Sequence, residues 1–173
     1  MSYNAYSLAI LVFRVSVGVT FLAHGINHIW RGGKIAGTGR WFASLGMKPG
    51  IFHAWLASLT ELGAGTMLIL GLLEPLAGAG VLGVMLVAWI TNHRKNGFFI
   101  FRPGEGYEYV MNLAVAGFVL GTLPAGRWSL DRALDFHPGG WVRLAITVIA
   151  GAGGALLLLL VFWRPEKKVD AAT

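Results

Sequence analysis

Along the chain, five long apolar runs alternate with short polar segments, at about residues 6–29, 51–73, 76–92, 107–123 and 141–163. Several reach the roughly 20 residues that a helix needs to cross the hydrocarbon layer of a bilayer. The first run ends at the breaker Gly32-Gly33. Only Glu74-Pro75 separates the second from the third, so these two form an antiparallel hairpin. Two shorter stretches read differently. Thr38 to Leu45 places Trp41, Phe42 and Leu45 on one helical face, which suits a helix lying in the membrane interface. Ser129 stands where it would cap a short helix over Leu130 to Leu134. The aromatic segment from Asn96-Gly97-Phe98-Phe99 to Arg102-Pro103-Gly104 suits an interfacial or re-entrant loop. The fifth run carries Trp141 and Trp163 at its ends, with Arg143 and Arg164 placed to snorkel toward head groups. The pattern predicts an all-α, polytopic membrane helical bundle.

Composition strengthens this reading. Of 173 residues, 55% are hydrophobic and 13% charged, too few charges to coat a soluble domain. The net charge of +6 comes mostly from Lys and Arg in short loops beside apolar runs, where topology and anionic lipid account for it, so nucleic acid is not an expected partner. Arg31, Lys34, Arg40, Lys48, Arg94, Lys95, Arg102, Arg164, Lys167 and Lys168 fall on one side of the five spans, against Arg127, Arg132 and Arg143 on the other. Positive-inside bias then puts the N-terminus outside a bacterial plasma membrane and the C-terminus in the cytoplasm. The first run lacks a basic leader and an A-x-A cleavage pattern and holds Arg14 and His24, so it reads as a retained helix. With no cysteine, the chain offers no disulfide relay, iron–sulfur ligation or thiolate metal site of its own. The 25 glycines, many inside spans, predict closely packed helices without a wide aqueous pore, and leave room for a flat ligand or a neighbouring subunit against a glycine-lined face.

The candidate chemistry lies in the few polar residues within the runs. Arg14 sits about a third of the way into the first span, where an unpaired charge costs about 2.5 to 3.5 kcal/mol. Its stripe, with Gly18, Phe21, Gly25 and His28, should face the bundle interior. Glu61, near the middle of the second span, is the partner expected for it. That carboxylate reads equally as half of a structural Arg14–Glu61 ion pair and as a proton-handling or ligand-binding group. A second group gathers toward the cytoplasmic ends of the spans: His24 and His28, Asn92 and His93, then Tyr107, Glu108, Tyr109 and Asn112, rimmed by Phe98 and Phe99. His28 and Tyr107 read as solvated rim. His24, Glu61, His93, Glu108, Tyr109 and Asn112 are the expected ligand-binding set, with imidazole, carboxylate, phenol and amide groups suited to bind and protonate a quinone-like head group. His24 and His93 are at comparable depth, which admits a haem or metal, but no spacing requires one and no metal site is predicted.

Several of these residues carry a resemblance: His24-Gly25, Phe42-Ala43-Ser44-Leu45-Gly46, Glu61 followed by glycines and Leu70-Gly71, Asn96-Gly97-Phe98-Phe99, Gly106-Tyr107-Glu108-Tyr109, and Ser129-Leu130-Asp131. In this order they resemble the DoxX family of small bacterial membrane proteins, over about Leu8 to Leu134. The resemblance implies a four-helix bundle and association with membrane oxidoreductase systems, including subunits of a thiosulfate-to-quinone enzyme. Similar eukaryotic proteins act as assembly chaperones or cargo receptors. Two departures stand out. Asn27 and His28 occupy positions where a basic residue often follows the His-Gly step, and the fifth helix is an addition that suggests docking to a larger complex. The expected organisation is therefore a DoxX-like bundle over 1–134, an additional helical segment over 135–165, and a polar cytoplasmic tail over 166–173.

The expected function is that of an integral membrane subunit of a respiratory or redox complex, with a polar intramembrane pocket for a quinone or lipid near the cytoplasmic side. No cofactor is bound by a motif, so electrons would come from membrane oxidoreductase subunits, and membrane lipid is the other expected partner. The alternative is an accessory or assembly subunit without catalytic activity, which scaffolds a larger complex.

Overall fold

The computed structural model describes residues 2–31 and 33–165, so the tail expected over 166–173 lies outside the described residues. Among the described residues seven helices follow one another: α1 Tyr3–Trp30, α2 Lys34–Ser44, α3 Gly50–Leu70, α4 Glu74–His93, α5 Glu108–Thr122, α6 Leu130–Ala133 and α7 Gly140–Phe162. The last turn of α4, Trp89–His93, and the middle of α7, Thr147–Gly153, are wound as π-helix.

Local chemistry sets the ends of these elements. The Ser2 hydroxyl accepts from the Ala5 amide at 3.3 Å and opens α1, which at 28 residues is about 42 Å long, enough to cross a bilayer. Gly71, at φ 64°, ends α3 in the left-handed conformation that glycine adopts without Cβ strain. Ser129 caps α6, accepting from the Arg132 amide at 3.2 Å as its position predicts. The start of α4 is capped from a distance: the Asp131 carboxylate accepts from the Leu73 and Glu74 amides at 2.6 and 3.1 Å.

Among the described residues α1, α4 and α7 are long and apolar enough to cross a membrane. The 21-residue α3 and the 15-residue α5 complete the bundle beside them. The helix α4 is central. It packs against α3, α5 and α7, while α1 lies along α3 and α2 caps the end of α3. Glycine permits the closest crossings. A Cβ at Gly65 of α3 would stand 2.7 Å from the Gly18 carbonyl of α1, and one at Gly78 of α4 would stand 2.5 Å from the Gly117 carbonyl of α5. Phe21, Leu68, Val81 and Leu120 fill the core between them.

Large apolar side chains remain on the outside: Val12 and Val19 on α1, Leu59 on α3, Val115 on α5, and Ile149, Leu156 and Leu160 on α7. Around a soluble domain such a surface would drive aggregation, whereas here it is the face presented to lipid. Exposed Arg31, Lys34, Arg40, Lys48, Arg94, Lys95, Arg102 and Arg164 mark one end of the bundle, called here the basic end.

Candidate functional site

Two polar clusters lie inside the bundle, and they divide the buried charges differently from the sequence expectation. In the half away from the basic end, Arg14 is 1% exposed and its Nε stands 3.8 Å from Glu74 Oε1. Arg143 approaches the same carboxylate from α7, Nη2 to Oε2 at 3.6 Å. The Arg14 guanidinium also donates to the carbonyls of Leu68 at 2.7 Å and Ile69 at 2.5 Å, and to that of Trp128; Arg143 donates to the carbonyl of Leu123. The expected Arg14–Glu61 ion pair is therefore not formed. Its physical reason is Glu74, fully buried at the α3–α4 turn, which supplies the negative charge Arg14 needs. Nor does Arg143 snorkel outward: it is buried against that carboxylate. With the Asp131 cap, this cluster ties α1, α4, α6 and α7 together.

The second cluster lines a cavity of about 520 Å³. On its polar side, His28 Nδ1 of α1 stands 3.1 Å from Glu61 Oε2 of α3. His24 Nε2 lies 3.1 Å from the Tyr109 hydroxyl of α5, with the two rings stacked. His53, 2% exposed, also borders the cavity, and its Nε2 has no hydrogen-bond partner among the described residues. On the other side the walls are apolar, with Ala79, Gly80 and Gly83 of α4 and Gly151, Gly154 and Ala155 of α7 set among larger residues such as Leu76, Val84 and Leu158. The sequence places these groups by helical spacing. His53, Ala57 and Glu61 recur every four residues and so share one face of α3.

Of the expected ligand set, His24, Glu61, His93 and Tyr109 line the cavity, whereas Glu108 and Asn112 do not. Glu108 opens α5 and its Oε2 accepts from the Ile100 amide at 3.0 Å, holding the aromatic loop. Asn112 is exposed one turn later and donates to the Glu108 carbonyl at 2.9 Å. The two share a helix face, as expected, but that face turns away from the cavity. Phe98 and Phe99 do not rim it either; Phe98 packs edge-on to Tyr107. His93 reaches the cavity with its ring already engaged. Its Nδ1 is 2.9 Å from the Glu105 carbonyl, which can only accept, so the proton sits on Nδ1 and Nε2 accepts from the Asn92 amide at 3.2 Å. Both ring nitrogens are thus engaged, and the ring positions the loop. Glu61, His28, His24, Tyr109 and His53 are the other ionisable side chains of α1, α3 and α5 that line the cavity. His28 was expected on the rim and His53 was not singled out, although its spacing from Glu61 on α3 is readable in the sequence.

A helical bundle with an ionisable cluster turned inward onto a cavity and apolar side chains turned outward defines an integral, polytopic membrane protein. The chain belongs to the DoxX family, whose model matches residues 9–94, from α1 to the end of α4. It is 31% identical over 140 residues to a membrane protein of Mycobacterium tuberculosis (strain ATCC 25618 / H37Rv) described as uncharacterized, an alignment covering 73% of this chain and 82% of the relative. No solved structure matches it. The matched segment holds Arg14, His24, His28, His53, Glu61 and Glu74, whereas Tyr109, Asp131 and Arg143 lie beyond it.

Proposed function

We propose that the protein is a membrane subunit of a redox complex in the bacterial plasma membrane, and that its cavity holds a quinone head group. One observation carries this reading: the His28–Glu61 and His24–Tyr109 pairs border the same cavity, whose remaining walls are largely apolar, with small residues of α4 and α7 among them. A quinone has a flat apolar ring and two carbonyls. The small-residue walls suit the ring, and the phenol and imidazole groups are hydrogen-bond donors for the carbonyls. Glu61 with His28 forms a couple able to exchange a proton with the carbonyl oxygen as the ring is reduced or oxidised. Electrons reach the ring from a partner subunit. The basic end faces the cytoplasm in this reading, by the excess of Lys and Arg there.

The reading is tested by purifying the protein in mild detergent, extracting with organic solvent and measuring quinone by absorbance. The wild type is expected to carry quinone, or to take up added menaquinone or ubiquinone, and Glu61→Leu is expected to do neither. A wild type that neither retains nor binds either quinone contradicts it.

A second reading, a non-catalytic scaffold, draws on α7, whose outward face exposes Trp141, Ile149, Leu156 and Leu160 along its length. It differs in one outcome: Glu61→Leu and His24→Phe would then impair complex assembly while leaving quinone content unchanged.

A further inference from the structure

The cavity is not confined to the space among α1, α3, α4 and α5. Its lining continues past α4 to the inner side of α7, at Gly151, Gly154, Ala155 and Leu158. The polar and apolar sides are at one level of the bundle. Gly25, next to His24, packs on Ser58 and Leu62 beside Glu61. A Cβ at Gly80 would meet Thr60 and Ala64, and one at Gly83 would stand 3.1 Å from the Gly151 carbonyl. From the Glu61 carboxylate, then, the cavity runs sideways past Gly80 and Gly83 of α4 to α7, while another part of its lining, at Asn92, His93 and Glu105, lies toward the basic end. A polar group also waits on this path: the buried, unpartnered Nε2 of His53, ringed by Phe42, Phe52 and Phe162.

We infer that α7, which lies outside the family-matched segment, forms the wall of a lateral exit, and that the ligand is a head group bearing a slender apolar tail that leaves past Gly154 into lipid. This rests on the head-group reading above. The glycine at 154 is the specificity-determining position. A Cβ there would meet nothing within 4 Å, so the helix tolerates a side chain, but that side chain would occupy space the tail needs. The neighbouring Gly153 is equally open and does not line the cavity, which makes it the matched control. Within a bilayer the tail gains little on moving from lipid to protein, because both surroundings are apolar. Tail recognition is therefore expected as exclusion when the path is blocked rather than as extra affinity when it is open.

The test compares two probes by equilibrium titration of the protein in quinone-free nanodiscs, with affinity expressed per mole of lipid: 2,3-dimethyl-1,4-naphthoquinone, which has no tail, and a menaquinone with two isoprene units. The wild type and Gly153→Leu are expected to bind both with similar affinity. Gly154→Leu is expected to keep the tail-less probe and to lose at least about tenfold in affinity for the tailed one, the effect of forcing two groups into one space. Gly154→Ala should lie between. Undiminished binding of the tailed probe by Gly154→Leu overturns the exit, as does equal weakening of both probes. A wild type that binds only the tail-less probe also overturns the exit and leaves the head-group reading standing. A wild type that binds neither probe overturns both.

Discussion

His28 and Glu61 face each other across α1 and α3, Nδ1 to Oε2 at 3.1 Å, and both border the cavity. Neither atom has a hydrogen bond of good geometry among the described residues, so the pair is close without being locked. That arrangement suits groups which exchange a proton or turn toward a ligand. Glu61→Gln is isosteric and removes the charge. It is expected to cost about 1 kcal/mol or less in thermal stability, as for a single partly satisfied polar contact, and to weaken quinone binding about tenfold. Thermal unfolding in detergent and titration in nanodiscs check the two parts separately.

Glu74 is predicted to matter in the opposite way. It sits between two buried guanidiniums, and removing it as Glu74→Leu leaves both uncompensated, a loss of roughly 3 to 5 kcal/mol by analogy with broken buried pairs. Arg143→Met leaves Glu74 with Arg14 and is expected to cost less. Comparing the melting temperatures of the two variants with that of the wild type tests the order; an unfolded or aggregated Glu74→Leu beside a folded Arg143→Met agrees with it, and equal melting temperatures contradict it.

The α4–α5 contact offers a packing test. A Cβ at Gly78 would lie 2.5 Å from backbone atoms of Gly117 and Gly121, neither of which is a flexible side-chain tip. Gly78→Ala is therefore expected to destabilise by about 1 to 3 kcal/mol, the usual cost of overpacking. Gly63 on α3 meets nothing, so Gly63→Ala is expected to be neutral or to stabilise by about 0.5 to 1 kcal/mol through helix entropy. Denaturation curves of the two variants give the sign directly.

Much of the bundle was legible in the sequence because its determinants are local. Apolar runs, the Gly32-Gly33 breaker, the Glu74-Pro75 turn and the Ser129 cap place all seven helices to within a few residues, including the short α2 and α6. Which polar residues meet was less legible, because it depends on rotation of one helix against another. An acidic residue directly before proline reads as a turn, so nothing local shows that Glu74 is buried under α7, and Glu61 is the acidic residue that the sequence places deep enough to pair with Arg14. Arg143 near a helix end reads as a snorkelling residue unless the location of Glu74 is known. For Glu108 and Asn112 the spacing gave a shared face correctly, but it could not say that Tyr109, one residue on, would be the one turned inward.

This last distinction is itself testable. Tyr109→Phe removes the hydroxyl that meets His24 and is expected to weaken quinone binding about threefold to tenfold with little change in stability, since the contact is exposed. Glu108→Gln should leave quinone binding unchanged and instead loosen the 96–107 loop, seen as faster amide exchange at Ile100.

The central claim is that a quinone head group occupies the cavity bordered by Glu61 and His28, and a photoreactive azidoquinone tests it most directly. After illumination in nanodiscs and proteolysis, mass spectrometry is expected to find label on α3 between His53 and Glu61 or on α4 between Gly80 and His93, removed by excess unlabelled quinone. Label confined to the outward face of α7, at Ile149, Leu156 or Leu160, or label that competition does not reduce, contradicts the account.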